Sequence, residues 1–289
     1  MYERLEVCPI CKHTSFENYL ICNDHSISGE SFALNKCQKC ELVFTNPRPD
    51  DNSLGKYYED DNYISHANKS SNLTNFLYKL VRRYTLSKKV NLLKKFSKGH
   101  SILDYGCGTG EFLQACQNKG FTTYGYEPNE IAKKQAENKG IQIVGEIADL
   151  KEKVDIITTW HVLEHVSDLR KTVKTLQEKL TQNGVLIVAV PNLKSFDSEF
   201  YKEYWAALDV PRHLYHFTQT TFGKLIEKTK LQLADTLPMI FDSYYVAMLS
   251  EKYLTGKTNF LHALKIGYKS NKQAKRTGEY SSLIYILKK

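Results

Sequence analysis

The chain is expected to be an α/β protein whose main sheet is mostly parallel and covered by helices on both faces, preceded by a small cysteine-bearing module. Three observations predict this. Its 289 residues, 42% apolar and 25% charged, suffice for one large core and an appendage. From Ser101 onward, short apolar runs alternate with polar helical stretches, the pattern of a parallel sheet with crossover helices. Ahead of that region, four of the seven cysteines fall in two tight pairs.

The first 50 residues, rich in Cys, Asn, Asp and Pro, end in Thr45-Asn46-Pro47-Arg48-Pro49, whose prolines favour extended backbone. Cys8-x2-Cys11 and Cys37-x2-Cys40, with 25 residues between the pairs, supply two knuckles of thiolates. That set suits tetrahedral structural zinc better than disulfides, and zinc would provide folding energy for a segment too small to fold by burial alone. Four sulfur ligands leave no open position for catalysis. His13, Cys22 and His25 are substitute ligands, whereas Cys107 and Cys116 read as small apolar fillers.

Residues 51–99 form a linker and an amphipathic helix, expected to be part of a substrate lid. Leu73, Phe76, Leu77, Leu80, Val81, Tyr84, Leu92, Leu93 and Phe96 recur at spacings of three and four among Lys and Arg. Tyr57, Tyr58, Tyr63 and His66 are further lid candidates. The main domain, 100–289, begins with strands at Ile102–Tyr105, Thr123–Tyr126, Ile141–Val144, Val154–Ile157 and Val185–Val190, alternating with helices near 110–119, 129–138 and 168–180. An aromatic insertion at about 193–217 follows Pro191. Next come a helix near 219–229, a strand near 231–237, helical sequence within an insertion at about 242–280, and a last strand at Leu283–Leu287.

The strongest local signal is Leu103-Asp104-Tyr105-Gly106-Cys107-Gly108-Thr109-Gly110, a strand ending in Asp and three alternating glycines ahead of a helix. Glycine permits positive φ and lets a ligand approach the backbone. The spacing is GxGxG rather than the dinucleotide GxGxxG. The next strand ends in Tyr126-Glu127-Pro128-Asn129, which puts a carboxylate where ribose hydroxyls are held. Here the chain resembles the class I S-adenosylmethionine-dependent methyltransferases over roughly residues 100–230 and the terminal strand. The resemblance extends to Asp155–Val166, with its His161-Val162-Leu163-Glu164-His165 segment, and to Gly184–Asn192. It implies a Rossmann-like, seven-stranded, mostly parallel sheet with an antiparallel last strand. It also implies S-adenosylmethionine as cofactor: Asp104, Gly106, Gly108 and Gly110 by its methionine half, Glu127 and Pro128 at the ribose, Glu146 or Ile147 by the adenine, and His161 on its border.

HVLEH spells the HxxEH of an inverted zinc protease motif, but that motif needs one continuous helix and here an apolar strand runs straight into it. The quinone-precursor O-methyltransferases, which this segment also resembles, can hold a divalent ion in a related ExxEH; His161 stands in place of the first acid, which weakens the case for a metal. With its N-terminal zinc ribbon and late histidine-aromatic segment, the chain resembles in outline the deoxysugar C-methyltransferases. That outline places His213, in Asp209-Val-Pro-Arg212-His213-Leu-Tyr-His216-Phe217, as base or substrate ligand; by residue type alone His216 is the second candidate and Arg212 is available to an acidic acceptor group.

The net charge of +8 resides wholly in residues 252–289, which hold nine Lys/Arg and only Glu279. Acidic residues dilute the cations around the ribbon, so nucleic acid is not the expected partner. No stretch is long and apolar enough to cross a bilayer, and no apolar signal-peptide core follows Met1, so the cytoplasm is the expected compartment. The expectation is methyl transfer to a small-molecule substrate such as a sugar nucleotide or another acidic metabolite. An RNA- or protein-methylating enzyme, or a cofactor-binding scaffold without chemistry, are the alternatives.

Overall fold

A computed structural model describes residues 1–58 and 72–289, and for 72–83 the backbone alone. Tyr63 and His66 lie outside the described residues, as do the side chains of Leu73, Phe76, Leu77, Leu80 and Val81. In the N-terminal module both Cys-x2-Cys pairs build the same turn. Cys8 N donates to His13 O (2.7 Å) and Lys12 N to Cys8 O (3.0 Å); Cys37 N donates to Leu42 O (2.9 Å) and Glu41 N to Cys37 O (2.9 Å). Each turn closes on a left-handed residue, Lys12 (φ 61°) and Glu41 (φ 66°). Such backbone is uncommon outside glycine, so its recurrence marks two copies of one knuckle. Strand β1 (Tyr2–Glu3) pairs with β5 (Arg48–Pro49), while β2 (Phe16–Asn23), β3 (Ser31–Cys37) and β4 (Val43–Thr45) form an antiparallel sheet.

After helix α1 (Asn72–Phe96), strands β6 (Ser101–Tyr105), β7 (Thr122–Tyr126), β8 (Gln142–Ile143), β9 (Val154–Trp160) and β10 (Leu180–Pro191) run parallel. Helices α2 (Glu111–Gln117), α3 (Glu130–Asn138) and α4 (Leu169–Lys179) lie between them in the chain. Beyond β10 come α5 (Phe196–Tyr201), β11 (Tyr215–His216), α6 (Gln219–Ile226), β12 (Gln232–Pro238), α7 (Asp242–Thr255), α8 (Phe260–Thr277) and β13 (Ser282–Lys288). The sheet order is β12-β13-β10-β9-β6-β7-β8, with β13 antiparallel to both neighbours. This is the expected seven-stranded, mostly parallel sheet with an antiparallel last strand.

Period-two alternation sorts the strand side chains onto two cores. Ile102, Ile156, Val185 and Ile187 face Val90 and Leu93 of α1 and Leu113 of α2. Leu103, Ile157, Leu186 and Val188 face Leu169 and Val173 of α4 and Phe222 of α6. The second core also contains Cys8, Cys37, Leu42 and Phe44 of the N-terminal module. Burying a Leu or Phe side chain contributes about 1.5–3 kcal/mol, shared for Leu42 and Phe44 between the module's own packing and its seat on the main domain. Its opposite side, Phe32, Leu34 and Val43, packs on Trp205 and Leu208 and on Val246 and Ile266 of the α7–α8 hairpin. Strand β11 completes the module's sheet by pairing with β4.

Candidate active site

The C-terminal ends of β6, β7 and β9 converge on the glycine turn. Gly106 (φ 82°) and Gly108 (φ 54°) both occupy left-handed backbone, for different reasons. A Cβ on Gly106 would lie 2.5 Å from Val162 Cγ2, so glycine is needed there for packing. A Cβ on Gly108 would meet nothing within 4 Å among the described residues, so there the turn leaves an open cradle. Gly108 N donates to Glu127 Oε2 (2.8 Å) and Asn129 N to Glu127 Oε1 (2.9 Å), fixing that carboxylate beside the turn. Pro128 follows, exposed.

Asp104, 3% exposed, accepts a hydrogen bond from Thr158 Oγ1 (2.6 Å). Burial pushes its carboxyl up to about 7, against the opposing pull of Thr158 and Lys89. Lys89 reaches in from α1, its Nζ 4.1 Å from the centre of the Trp160 ring. Desolvation lowers its pKa, and the charges of Asp104 and Asp242 oppose that fall. The Trp160 Nε1 donor is buried and has no partner among the described residues. Lys89 escaped the sequence reading because it looks like any lysine of a basic helix. At the end of β8, Ile147 is buried, while exposed Glu146 donates its backbone N–H to Asp149 Oδ2 (2.8 Å) and helps raise the pKa of Tyr126, after burial and Glu127.

His161, at φ 57°, closes β9 with its ring between two carboxylates, Nδ1 at 3.2 Å from Glu164 Oε1 and Nε2 at 3.1 Å from Asp242 Oδ2. Burial alone would lower its pKa, but the hydrogen bonds to Asp242 and Glu164 raise it to about 10. His161 is therefore a cation with both ring nitrogens engaged, a state in which it ligates no metal. The other Glu164 oxygen, Oε2, is buried with no partner among the described residues.

That oxygen belongs to a second cluster. The Glu164 carbonyl accepts from Leu214 N (2.7 Å) and Tyr215 N (3.3 Å), which draws the HVLEH segment against β11. The rings of His165 and His213 thereby meet edge to face at 4.5 Å. Donor atoms of Glu164, His165 and His213 all lie within 4.8 Å of one another. Ala207 O accepts from His213 Nδ1 (2.9 Å), so the proton sits on Nδ1 and Nε2 is the basic atom, 3.8 Å from Asp209 Oδ2. His165 Nδ1 lies 2.9 Å from Tyr58 Oη and 3.0 Å from Arg212 O. Desolvation, reinforced by His213, pushes the His165 pKa down to about 4.

Two sequence candidates are placed elsewhere. His216 faces the module, Nε2 3.3 Å from Thr45 Oγ1, and burial drives its pKa down to about 3. Arg212, expected to be available to an acidic acceptor, is instead committed within the protein. Its guanidinium donates to Asp209, Tyr57 O (2.9 Å) and Ser26 Oγ (2.7 Å), leaving the side chain almost wholly buried. Tyr57 is likewise occupied, bonded to Tyr2 and Glu30, whereas Tyr58 reaches the cluster. The four cysteines converge: the Cys8 and Cys40 sulfurs lie 3.4 Å apart, those of Cys11 and Cys37 3.5 Å apart, and all four within 4.8 Å. Zinc–thiolate bonds of about 2.3 Å in a tetrahedron require sulfur separations of about 3.8 Å, so this set fits that ion. Cys22 is buried in the core between the module and the α7–α8 hairpin.

The sequence model of a family described as a methyltransferase domain matches residues 78–235. A ubiquinone biosynthesis O-methyltransferase of Azorhizobium caulinodans is 31% identical over 111 residues, 34% of this chain and 44% of that protein. One of Actinobacillus pleuropneumoniae is 33% identical over 109 residues, 32% of this chain and 47% of its own. The chain thus spans about half the length of the curated relatives it matches. Magnesium protoporphyrin IX methyltransferase from Synechocystis PCC 6803, with bound SAH, shares the fold at 16% identity. Its TM-score is 0.54, over 81% of this chain and 96% of that one.

Proposed function

The chain belongs to the methyltransferase domain family and is a class I S-adenosylmethionine-dependent methyltransferase; from that premise we propose that it methylates a small molecule whose accepting atom must lose a proton. The observation that carries this is the placement of two unlike polar clusters on either side of one segment, where Val162 packs against Gly106 and Glu164 meets the histidine pair. One is the acidic and glycine-lined edge of Asp104, Gly108 and Glu127, and the other the edge-to-face histidine pair His165–His213.

Bound S-adenosylmethionine would supply an electrophilic methyl group on a sulfonium. Glu127, already fixed by two backbone donors, keeps lone pairs free for the ribose diol. The open face of Gly108, Asp104 and Lys89 Nζ fit an amino-acid moiety, and Trp160 Nε1, without a partner among the described residues, offers it one more donor. Ile147 and Glu146, beyond β8, are the proposed adenine neighbours. His161 is a positioning residue in this reading, orienting Glu164 and Asp242.

His213 Nε2 is the proposed base that takes the proton from the acceptor, with Asp209 near enough to stabilise the resulting imidazolium. His216, neutral and held by Thr45, supports the strand. The relatives' designation as O-methyltransferases favours a hydroxyl acceptor, on a sugar nucleotide or another metabolite. The cluster of Glu164, His165 and His213 favours a second reading, in which the three hold a divalent ion that lowers the pKa of that hydroxyl. Cys8, Cys11, Cys37 and Cys40 are proposed to hold one structural zinc.

The test is transfer of labelled methyl from S-adenosylmethionine to a panel of hydroxylated acids, sugar nucleotides and RNA. Glu127→Ala should weaken cofactor binding in calorimetry. His213→Ala should lower kcat about 10²–10⁴-fold with cofactor affinity unchanged. Turnover that requires added Mg²⁺ or Mn²⁺ would favour the second reading. Labelling of RNA alone, or turnover insensitive to His213→Ala, would defeat the proposal.

A further inference from the structure

Helices α7 and α8 form a hairpin whose inner face is complete. Gly267 brings the two so close that a Cβ there would lie 2.6 Å from Tyr244 Cδ1. Ser243 Oγ donates to Gly267 O (3.2 Å), and Asn271 Nδ2 donates to Ile240 O (2.9 Å) and Ser243 Oγ (2.8 Å). Ala263, Ile266, Ser270 and Ala274 are buried along the same stripe of α8. Nothing on the outer face of α8 is required to hold the pair together.

That outer face is nonetheless apolar over much of its length. Leu261 is 81% exposed, Phe260 62%, Tyr268 58% and Leu264 50%. Leu261, Leu264 and Tyr268, at i, i+3 and i+7, share one side of the helix, and Leu254 is exposed at the end of α7. Beside that stripe run Lys265, Lys269, Lys272 and Arg276, all exposed. No acidic residue occurs between Glu251 and Glu279. Glu251 itself is buried and bonded to Tyr201 (2.9 Å) and His262 (2.6 Å), so it does not offset the cations at the surface.

We propose that the outer face of α8 is a docking surface for an anionic phospholipid bilayer. The helix would lie in the plane of the interface, its leucines and aromatics at the headgroup–acyl boundary and its cations among the phosphates. Charge and apolarity together select this occupant. A second copy of the chain would set one row of cations against another. A nucleic acid would use the cations but gain nothing from Leu261, the most exposed of the apolar side chains on this face. Among the described residues no helix is long and apolar enough to cross a membrane, so the contact is peripheral.

The apolar surface continues along α7 toward the cofactor edge. Tyr245 and Phe241 are exposed, and Tyr84 packs edge-on against Phe241 at 5.9 Å. Asp242, the next residue, holds His161. Docking would therefore set the rim of the active site against the bilayer. This goes beyond the methyl-transfer reading and stands or falls without it.

Cosedimentation of the full chain with vesicles tests it, comparing phosphatidylcholine alone with a mixture containing about one-third phosphatidylglycerol. At low salt the protein should partition at least about tenfold more strongly into the anionic vesicles. Each cation near such a surface contributes about fivefold, so Lys265→Glu/Lys269→Glu should lose at least about 25-fold. Leu261→Gln/Leu264→Gln should lose at least about tenfold, although it changes no charge. Both variants alter exposed side chains, and unchanged melting temperature would show that each remains folded. Equal or absent partitioning into the two vesicle types overturns the proposal. So does a Leu261→Gln/Leu264→Gln variant that binds like wild type. Tight RNA binding indifferent to the leucine variant would assign the face to nucleic acid, and a dimer abolished by that variant would assign it to a second copy.

Discussion

Alanine at Gly108 separates cofactor binding from folding, and its effect can be worked from two neighbouring glycines. Both Gly106 (φ 82°) and Gly108 (φ 54°) would carry alanine in left-handed backbone, at a cost of about 1–2 kcal/mol. In a chain of this size about 1 kcal/mol shifts Tm by roughly 2–4 °C. At Gly108 there is no further cost, because an added Cβ meets no atom within 4 Å. At Gly106 the Cβ would press to 2.5 Å from Val162 Cγ2, adding roughly 1–3 kcal/mol of overpacking. Gly108→Ala should therefore lower Tm by only a few degrees, and Gly106→Ala by about twice as much. The order reverses for ligand affinity relative to stability: the Gly108 methyl projects into the cradle and should raise the Kd for S-adenosylmethionine at least about tenfold. Thermal melts and titration calorimetry on the two variants read both quantities. A Gly108→Ala protein with wild-type Kd, or one that melts below Gly106→Ala, would show that the open side of Gly108 is not where the cofactor lies.

Asp104→Asn should stabilise the unliganded protein at high pH only. The folded-state pKa is raised to about 7, so between about pH 4 and 7 the unfolded chain releases a proton that the folded chain keeps, and wild-type stability falls as pH rises. Asparagine has no such proton, and the variant should gain up to about 4 kcal/mol over wild type at about pH 8 and almost nothing at about pH 4; equal gains in urea melts at both would contradict the assignment. Lys89→Met should raise the Kd for S-adenosylmethionine about tenfold while leaving that of a decarboxylated analogue unchanged, and an equal loss for both would mean that Lys89 merely packs. Wild-type protein should contain one zinc per chain by elemental analysis, lost in Cys37→Ser/Cys40→Ser together with a fall in Tm. A metal-free wild type with an unchanged melt would remove the zinc.

The features legible in the sequence are those where backbone chemistry dictates the residue. The glycine turn had to be spelled with glycine at Gly106, and Glu127 sits at a strand end that alternating apolar residues reveal. Both cysteine knuckles were visible because spacing alone sets their reach. The histidine cluster was only half visible: nothing local to Asp209–Phe217 announces that Leu214 N will bond the Glu164 carbonyl and carry His213 onto His165. Strand β11 is two residues long, too short for any periodicity, yet its pairing with β4 turns His216 toward Thr45. Arg212 misled for a related reason. An arginine in a loop reads as available, and only the fold shows Asp209, Tyr57 and Ser26 converging on it.

Those same contacts explain how a metal module without an open coordination position can matter for chemistry. Arg212 ties the module's Ser26 to Tyr57 and to Asp209, four residues before His213, and its carbonyl accepts from His165. On the other flank Arg48 donates to Glu3 (2.6 Å), Tyr215 Oη (3.1 Å) and Ser167 O (3.0 Å), spanning from the module to the residues around the histidine pair. Thr45 Oγ1 donates to the His213 carbonyl itself (2.8 Å). Module residues thus hold the proposed base directly at Thr45 and hold its chain neighbours Arg212 and Tyr215 through Ser26 and Arg48. A loosened knuckle would shift His213 before it disturbed the glycine turn, whose walls are β6, β7 and the end of β9. Zinc removal under mild conditions should accordingly lower kcat while cofactor affinity persists, and simultaneous loss of both would place the module's influence on global folding instead.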